Sequence, residues 1–263
     1  MWSHTRIFLI FAVAVFLGTG FTCIKSVSAE SLVLTGSEKT NDSDADGLSD
    51  YWEVVIFKTN PNKKDTDSDG FLDKLEIETG NNPLGKGVLF NSDFDKDGLN
   101  DRLEFLFGTN PENADSDGDG YMDEKEVALG FSPTSTRQVP LQKRIKIILS
   151  KQRIEQQLGG IVLASYLVST GRRGMQTPTG EFKILNKLPR AWSKMAGLWM
   201  PYWMQFTKSG HGIHELPEWP GGKKEGADHL GIPVSHGCVR LGDCEAKILY
   251  DWVDIGTPVT IVG

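Results

Sequence analysis

The chain has 263 residues, 39% hydrophobic and 24% charged, which is enough apolar material for a packed core and enough length for two domains. A formal net charge of −7 argues against nucleic acid as a main partner. The charge is unevenly spread: residues 42–126 carry 23 acidic and 8 basic side chains, whereas residues 137–263 carry 10 acidic and 17 basic, so two modules with different tasks are expected.

The first residues read as an address. An arginine precedes an unbroken apolar run, Ile7 to Phe21, whose 15 residues fall short of the roughly 20 that span a bilayer. Small residues follow, with Ser28 and Ala29 ahead of Glu30. The expectation is a secretory signal over 1–29, cleaved after Ala29, with an uncleaved N-terminal anchor as the alternative and the only membrane contact foreseen. Cys23 offers a lipid-attachment reading, which bulky Phe21 opposes. Cleavage leaves Cys238 and Cys244, too few for a disulfide scaffold, so the core or a metal must hold the fold.

From residue 41 to 133 the chain repeats itself. The segments DSDADGLSDYWE (Asp42 to Glu53), DTDSDGFLDKLE (Asp65 to Glu76), DFDKDGLNDRLE (Asp93 to Glu104) and DSDGDGYMDEKE (Asp115 to Glu126) each place Asp at positions 1, 3, 5 and 9, Gly at 6 and Glu at 12. This is the spacing of a calcium loop, in which alternate carboxylates converge on one hard cation and glycine permits the tight turn. The expected ligands are Asp42, Asp44, Asp46, Asp50 and Glu53; Asp65, Asp67, Asp69, Asp73 and Glu76; Asp93, Asp95, Asp97, Asp101 and Glu104; Asp115, Asp117, Asp119, Asp123 and Glu126. Apolar residues at position 7 (Leu48, Phe71, Leu99, Tyr121) are expected to face inward, and the loop spacing suggests a duplicated pair. Pro61 and the recurring TNP and NNP leave no room for helix–loop–helix hands. The array resembles thrombospondin type 3 repeats, which implies a calcium-stiffened spacer or binding surface with a structural Ca²⁺.

Residues 134–142 lie in the stretch FSPTSTRQVPLQ, read as a hinge with little to bury. The second half, 143–263, is expected to be mainly β. Strands are read at 144–150, within 152–158, at 161–170, 181–185 and 198–207 (with Pro201 marking an edge or bulge), and in PVTIV near the end. One helix is expected within 242–256, capped by Asp243 and turning Ile248, Leu249, Trp252 and Val253 inward. The fold class is therefore a β-sandwich or open barrel with a helix near the C-terminus, beside a small loop-repeat module with short helices.

His211, His214, His229 and His236 fall within 26 residues of one another, and Cys238 lies among them. On local chemistry Cys238 is a buried inert thiol, half of a disulfide with Cys244, a zinc ligand beside the histidines, or a nucleophile activated by an imidazole. Cys244 reads as helix packing, and His211 and His229 as loop or rim residues.

The segments GIHEL, LGIPVSHGCVRL and STGRRGMQTPTGEFKI together resemble the L,D-transpeptidase (YkuD-type) domain, over about residues 145–262. One departure is Glu215, where many members have glycine after the histidine. The resemblance implies that Cys238 is the nucleophile and His214 its base, oriented by a nearby backbone carbonyl. It implies that His236 and Gly237 shape the turn and that the amides of Gly237 and Cys238 form an oxyanion hole. Ser235 and Arg240 would line or brace the site, with Arg240 either binding a substrate carboxylate or pairing with Asp243 or another acid. Trp199, Tyr202 and Trp203 would wall the groove or pack in the core. The implied substrate is a peptidoglycan stem peptide outside the membrane, with no cofactor for catalysis. The alternatives are an L,D-carboxypeptidase on the same fold and a calcium-dependent wall-binding protein with a degenerate catalytic domain.

Overall fold

The computed structural model describes residues 38–263; the secretory signal expected over 1–29, and Cys23 within it, lie outside the described residues. Among these, no helix is long and apolar enough to cross a membrane.

Each acidic loop is built by its own aspartates. The position-1 carboxylate accepts backbone N–H bonds from positions 4 and 6: Ala45 and Gly47 onto Asp42, Ser68 and Gly70 onto Asp65, Lys96 and Gly98 onto Asp93, Gly118 and Gly120 onto Asp115. Positions 4 and 6 both take positive φ in every loop, so the glycine at position 6 answers a real conformational demand, and Ala45, Ser68 and Lys96 meet the same demand without one. A short helical segment follows each loop: a π-helical turn Trp52–Phe57, then α1 (Asp73–Thr79), α2 (Asp101–Phe107) and α3 (Asp123–Leu129).

The loops work in pairs, as their spacing suggests. Asp46 of the first loop accepts from Lys74 N–H at the start of α1, and Asp97 of the third accepts from Glu124 N–H at the start of α3. Pairing corrects the expectation for position 7. Leu48 and Leu99, in the first loop of each pair, are buried, whereas Phe71 and Tyr121, in the second, are 57% and 46% exposed.

The rest of the chain makes two sheets. The first has the order β3-β2-β1-β9-β4, from β1 (Lys143–Ile148), β2 (Arg153–Leu158), β3 (Ile161–Leu167), β4 (Gly180–Lys183) and β9 (Pro258–Val262). The second runs β5-β6-β7-β8, from β5 (Asn186–Ser193), β6 (Leu198–Gln205), β7 (Gly212–Glu215) and β8 (Val239–Leu241). β9 joins β1 in parallel, which puts the last strand of the domain beside its first. Alternation sends Ile145, Ile147 and Ile154 of the first sheet and Met204, Ile213, Val239 and Leu241 of the second into one core. Full burial of side chains this size stabilises by roughly 1.5–3 kcal/mol each.

Helix α4 (Asp243–Trp252) packs on β6, β7 and β8. Its N-cap is Gly242; Asp243 is its first residue and holds Lys224 at 3.2 Å, so the capping role expected of Asp243 is corrected. The buried face is Ala246, Leu249 and Val253, while Ile248 is 51% exposed. Cys244 is exposed as well, which overturns its packing role. Pro201 faces Arg190 of β5, and on its other side it falls in the gap between the Trp199–Glu218 bridge and the pairing with β7 at Met204 and Gln205. The stretch 134–142 is not an open hinge. Phe131 bridges Pro140, Leu141 N–H bonds Gly130 O at 2.8 Å, and Leu141 packs into an apolar cluster formed by Leu99, Leu103, Val127 and Leu158.

Candidate active site and cation-binding loops

The parallel pair β7–β8 sets the site. Ile213 aligns with Val239 and His214 with Arg240. Because alternate residues share a face, burying Ile213 and Val239 in the core turns His214, Cys238 and Arg240 to the other side. There they line a cleft together with His236 and His211. Leu198 and Met200 of β6, Ser193 at the end of β5, and Met195 and Ala196 from the β5–β6 turn also line it.

His214 is buried, and its Nδ1 lies 2.5 Å from the Glu215 carbonyl oxygen, which can only accept. Nδ1 therefore carries the proton, and Nε2 is left as the basic nitrogen. Burial, reinforced by the Arg240 charge against the help of that carbonyl, pushes the imidazole down to about 3. Burial also pushes the half-buried Cys238 thiol up, opposed by a hydrogen bond from the Gly212 backbone and by Arg240. The resting site is thus a neutral thiol with a neutral imidazole rather than a preformed ion pair.

The turn from Ser235 to Cys238 is pinned from several sides. Ser235 Oγ donates to Cys238 O at 2.5 Å and accepts from Gly237 N–H at 3.1 Å. Thr177 Oγ1 donates to Gly237 O at 3.0 Å and accepts from Gly171 N–H at 2.9 Å. Ser235 N–H bonds Thr170 O, and Ser169 and Arg240 exchange backbone bonds in both directions. The segment around STGRRGMQTPTG thus clamps the cysteine turn. Thr177→Val should cost about 2–4 kcal/mol, because it strands a buried carbonyl and an N–H; a thermal melt of the variant checks this.

Several expectations are corrected here. Ser235 is fully buried and braces the turn, so it lines nothing. The Gly237 amide is committed to Ser235 and is not free for an oxyanion. Tyr202 takes φ of 51° and packs its ring on Tyr250 at 5.6 Å, so it does not wall the cleft. Trp203 is buried too, its ring 5.9 Å from the His214 ring and over Gly212, where an added Cβ would meet it at 2.5 Å. Alternation on β6 gives the cleft Leu198 and Met200, and Trp199 packs on Trp192 instead. Cys238 and Cys244 are both free thiols, so no disulfide joins them. The Arg240 guanidinium beside the thiol and imidazole also opposes a zinc ion there.

Of the two readings of Arg240 the ion pair holds, with an acid the sequence did not single out, and His211 was misplaced. Arg240 pairs with Glu225 at 2.6 Å rather than with Asp243, and Glu225 also contacts His229. His211, expected at the rim, is a cleft residue set against Gly237.

In the acidic loops the carboxylates at positions 1, 3 and 5 offer oxygens within 4.8 Å of one another in all four cases. The position-12 glutamates are buried, and Glu53 Oε2, Glu76 Oε2, Glu104 Oε2 and both Glu126 oxygens have no hydrogen-bond partner. Asp44, Asp95 and Asp117 each leave one buried oxygen unpartnered as well. Desolvation first, then the neighbouring aspartates, raise Glu53, Glu76 and Glu126 to about 7 and Glu104 to about 8. Buried, orphaned, mutually repelling oxygens fit a hard divalent cation. The position-9 aspartates differ. Both oxygens of Asp50, Asp73 and Asp123 accept from the position-2 residue, and Asp101 accepts from Phe94 N–H. They brace the loop, which corrects the ligand role expected of them.

The L,D-transpeptidase catalytic domain family model (YkuD) matches residues 142–261. That match covers a little under half of the chain. The bacterial TSP3 repeat matches residues 42–64 and 115–130, in the first and last acidic loops. A Bacillus subtilis (strain 168) protein that carries the name L,D-transpeptidase YkuD is 31% identical over 117 residues, covering 44% of this chain and 64% of its own length. Its namesake in Bacillus licheniformis is 30% identical over 100 residues, covering 38% of this chain and 53% of that one. The chain thus spans slightly under two thirds of the first curated relative and about half of the second. Among solved structures, an L,D-transpeptidase from Mycobacterium tuberculosis is similar at 22% identity and a TM-score of 0.42, covering 48% of this chain and 60% of that one. One from Mycobacterium smegmatis follows at 23% and 0.41, with the same coverage. The STGRRGMQTPTG segment and the SHGCVRL turn belong together in the structure because one clamps the other.

Proposed function

We propose that this chain is an exported cysteine acyltransferase that forms or remodels peptidoglycan cross-links, with Cys238 as nucleophile and His214 as base. The observation that carries the reading is the tautomer of His214. Its Nδ1–H is held by the Glu215 carbonyl, so the basic Nε2 is left in the cleft that holds Cys238. In the first step the Cys238 proton passes to His214 Nε2 as sulfur bonds to the carbonyl carbon of an L-centre in a stem peptide. The carbonyl π pair moves to oxygen. When it returns, the bond to the terminal D-amino acid breaks, and its nitrogen leaves with the proton from His214. An amine of a second stem peptide then attacks the thioester, gives its proton to His214 and releases the thiol. Water in place of that amine makes the same site an L,D-carboxypeptidase.

Incubating the protein with a defined tetrapeptide muropeptide tests this. A cross-linked dimer plus free D-amino acid is expected; tripeptide alone assigns trimming, and unchanged substrate sinks the reading. A neutral imidazole also sets the pH dependence. With His214 deprotonated above about pH 3, the acylation rate should show no ascending limb between about pH 5 and 7. A limb centred near 6.5 in rapid-mixing acylation kinetics would contradict the neutral pair.

In the acidic module the proposed role is structural Ca²⁺ binding. The ligands would be the position 1, 3 and 5 aspartates, the position-7 carbonyl and the position-12 glutamate, with the position-9 aspartate holding the loop. When bound, the ion supplies countercharge to oxygens that otherwise repel one another. Nothing in these loops supplies a reacting group, and catalysis is assigned to the protein residues of the cleft.

A further inference from the structure

The Gly237 amide donates to Ser235 Oγ, so one of the two donors expected around a developing oxyanion is already spent. The cleft supplies a replacement. His211 lines it, and the ring edge carrying Nε2 and Cδ2 lies so close to Gly237 that a Cβ there would sit 2.9 and 2.8 Å from those atoms. Gly237 also has φ of 108°, so two constraints keep that position free of a side chain. The opposite ring edge is held by hydroxyls: Nδ1 lies 3.0 Å from Thr207 Oγ1 and 3.2 Å from Ser209 Oγ. Thr207 Oγ1 already accepts from the His211 backbone N–H at 2.9 Å and from Ser209 Oγ at 3.1 Å. With both lone pairs occupied, its own proton goes to His211 Nδ1. Nδ1 is then an acceptor, and the ring proton resides on Nε2, which faces the cysteine turn. Stacking on Phe206, with centroids 6.3 Å apart at 28°, fixes the ring plane.

We propose that the Nε2–H of His211 is the second donor to the oxyanion that forms at Cys238, taking the place that the Gly237 amide cannot fill. This rests on the acyl-transfer reading above. As sulfur bonds to the carbonyl carbon and the π pair moves to oxygen, Nε2–H donates a hydrogen bond to that oxygen. The proton stays on nitrogen throughout, and the bond loosens when the C=O re-forms and the amine departs. The two imidazoles divide the work. His214 presents an unprotonated Nε2 and moves a proton, while His211 presents a protonated Nε2 and moves none.

The test uses the full chain, with calcium present, and a carbapenem as the acylating probe. His211→Phe keeps an aromatic ring on Phe206 but has no donor; its acylation rate should fall on the order of 10²-fold with little change in non-covalent affinity. His211→Gln restores an N–H donor and should recover to within about tenfold of the parent. Nitrogen NMR of the free protein should show the proton on His211 Nε2, a readout that needs no variant to fold. A His211→Phe rate within about threefold of the parent, equal losses in Phe and Gln, or a proton on Nδ1 would each overturn the proposal. No adduct on Cys238 of the unaltered chain would instead overturn the acyl-transfer reading beneath it.

Discussion

Cys238→Ala is expected to remove every covalent adduct formed with a carbapenem or a stem-peptide donor, measured on the intact protein by mass spectrometry. Turnover should fall on the order of 10⁴-fold or more, as when the nucleophile of another acyl-transfer enzyme is deleted. Folding should survive, because the half-buried sulfur contributes to neither the sandwich core nor a disulfide. Cys244→Ala is the matched control. That thiol is exposed on α4, and its loss should leave acylation unchanged. Persistent acylation of the Cys238→Ala protein would end the assignment of the nucleophile. His214→Ala should come close behind, since the thiol then has no buried base and its own burial disfavours ionisation.

Chelation should have the second large effect. Four loops each gather three aspartates and a buried glutamate, and without a cation those glutamates titrate only near 7 to 8. If each site is saturated about a hundredfold above its dissociation constant, binding stabilises by about 2.7 kcal/mol per site, or on the order of 10 kcal/mol for four independent sites. Adding chelator should therefore melt the module, seen as lost helical circular dichroism and protease cleavage within 42–130. Acidity should partly reverse this. The folded glutamates hold protons more tightly than the unfolded chain does, so between about pH 4.5 and 8 the calcium-free fold binds more protons than its unfolded state. Its stability must then fall as pH rises through that window. A chelated protein that melts no earlier than the calcium-loaded one would refute the structural role of the ion.

The acidic loops were legible because their signal is local: alternating aspartates, a glycine and a glutamate within twelve residues. What was not local was lost. Phe71 and Tyr121 look like Leu48 and Leu99 in sequence, and only the pairing of loops separates exposed from buried. β5 went unread because NKLPRAWS mixes proline and cations with no apolar alternation. The short β7 and β8 were visible only as motifs. Their parallel alignment, which puts His214 and Cys238 in one cleft across 23 intervening positions, is a property of the sheet. Tyr202 and Trp203 were misplaced because a left-handed residue breaks the strand's alternation. The Arg240–Glu225 pair joins a strand to a loop fifteen residues earlier, which no pattern of spacing announces.

The apolar cluster beneath the acidic repeats has a practical consequence. Leu99, Leu103 and Val127 come from the repeats, Leu158 is their buried neighbour on β2, and Leu141, Ile161, Leu163 and Trp252 pack around them. Arg102 adds a clasp, donating to Ile77 O and Glu78 O at the end of α1 and, at 3.5 Å, to Val162 O of β3. A fragment cut at residue 143 would lay Leu158, Ile161 and Leu163 bare to water along one side of its first sheet, inviting self-association. Cutting the second half free would thus leave a wound, and loss of the proposed cations would open the same one from the other side.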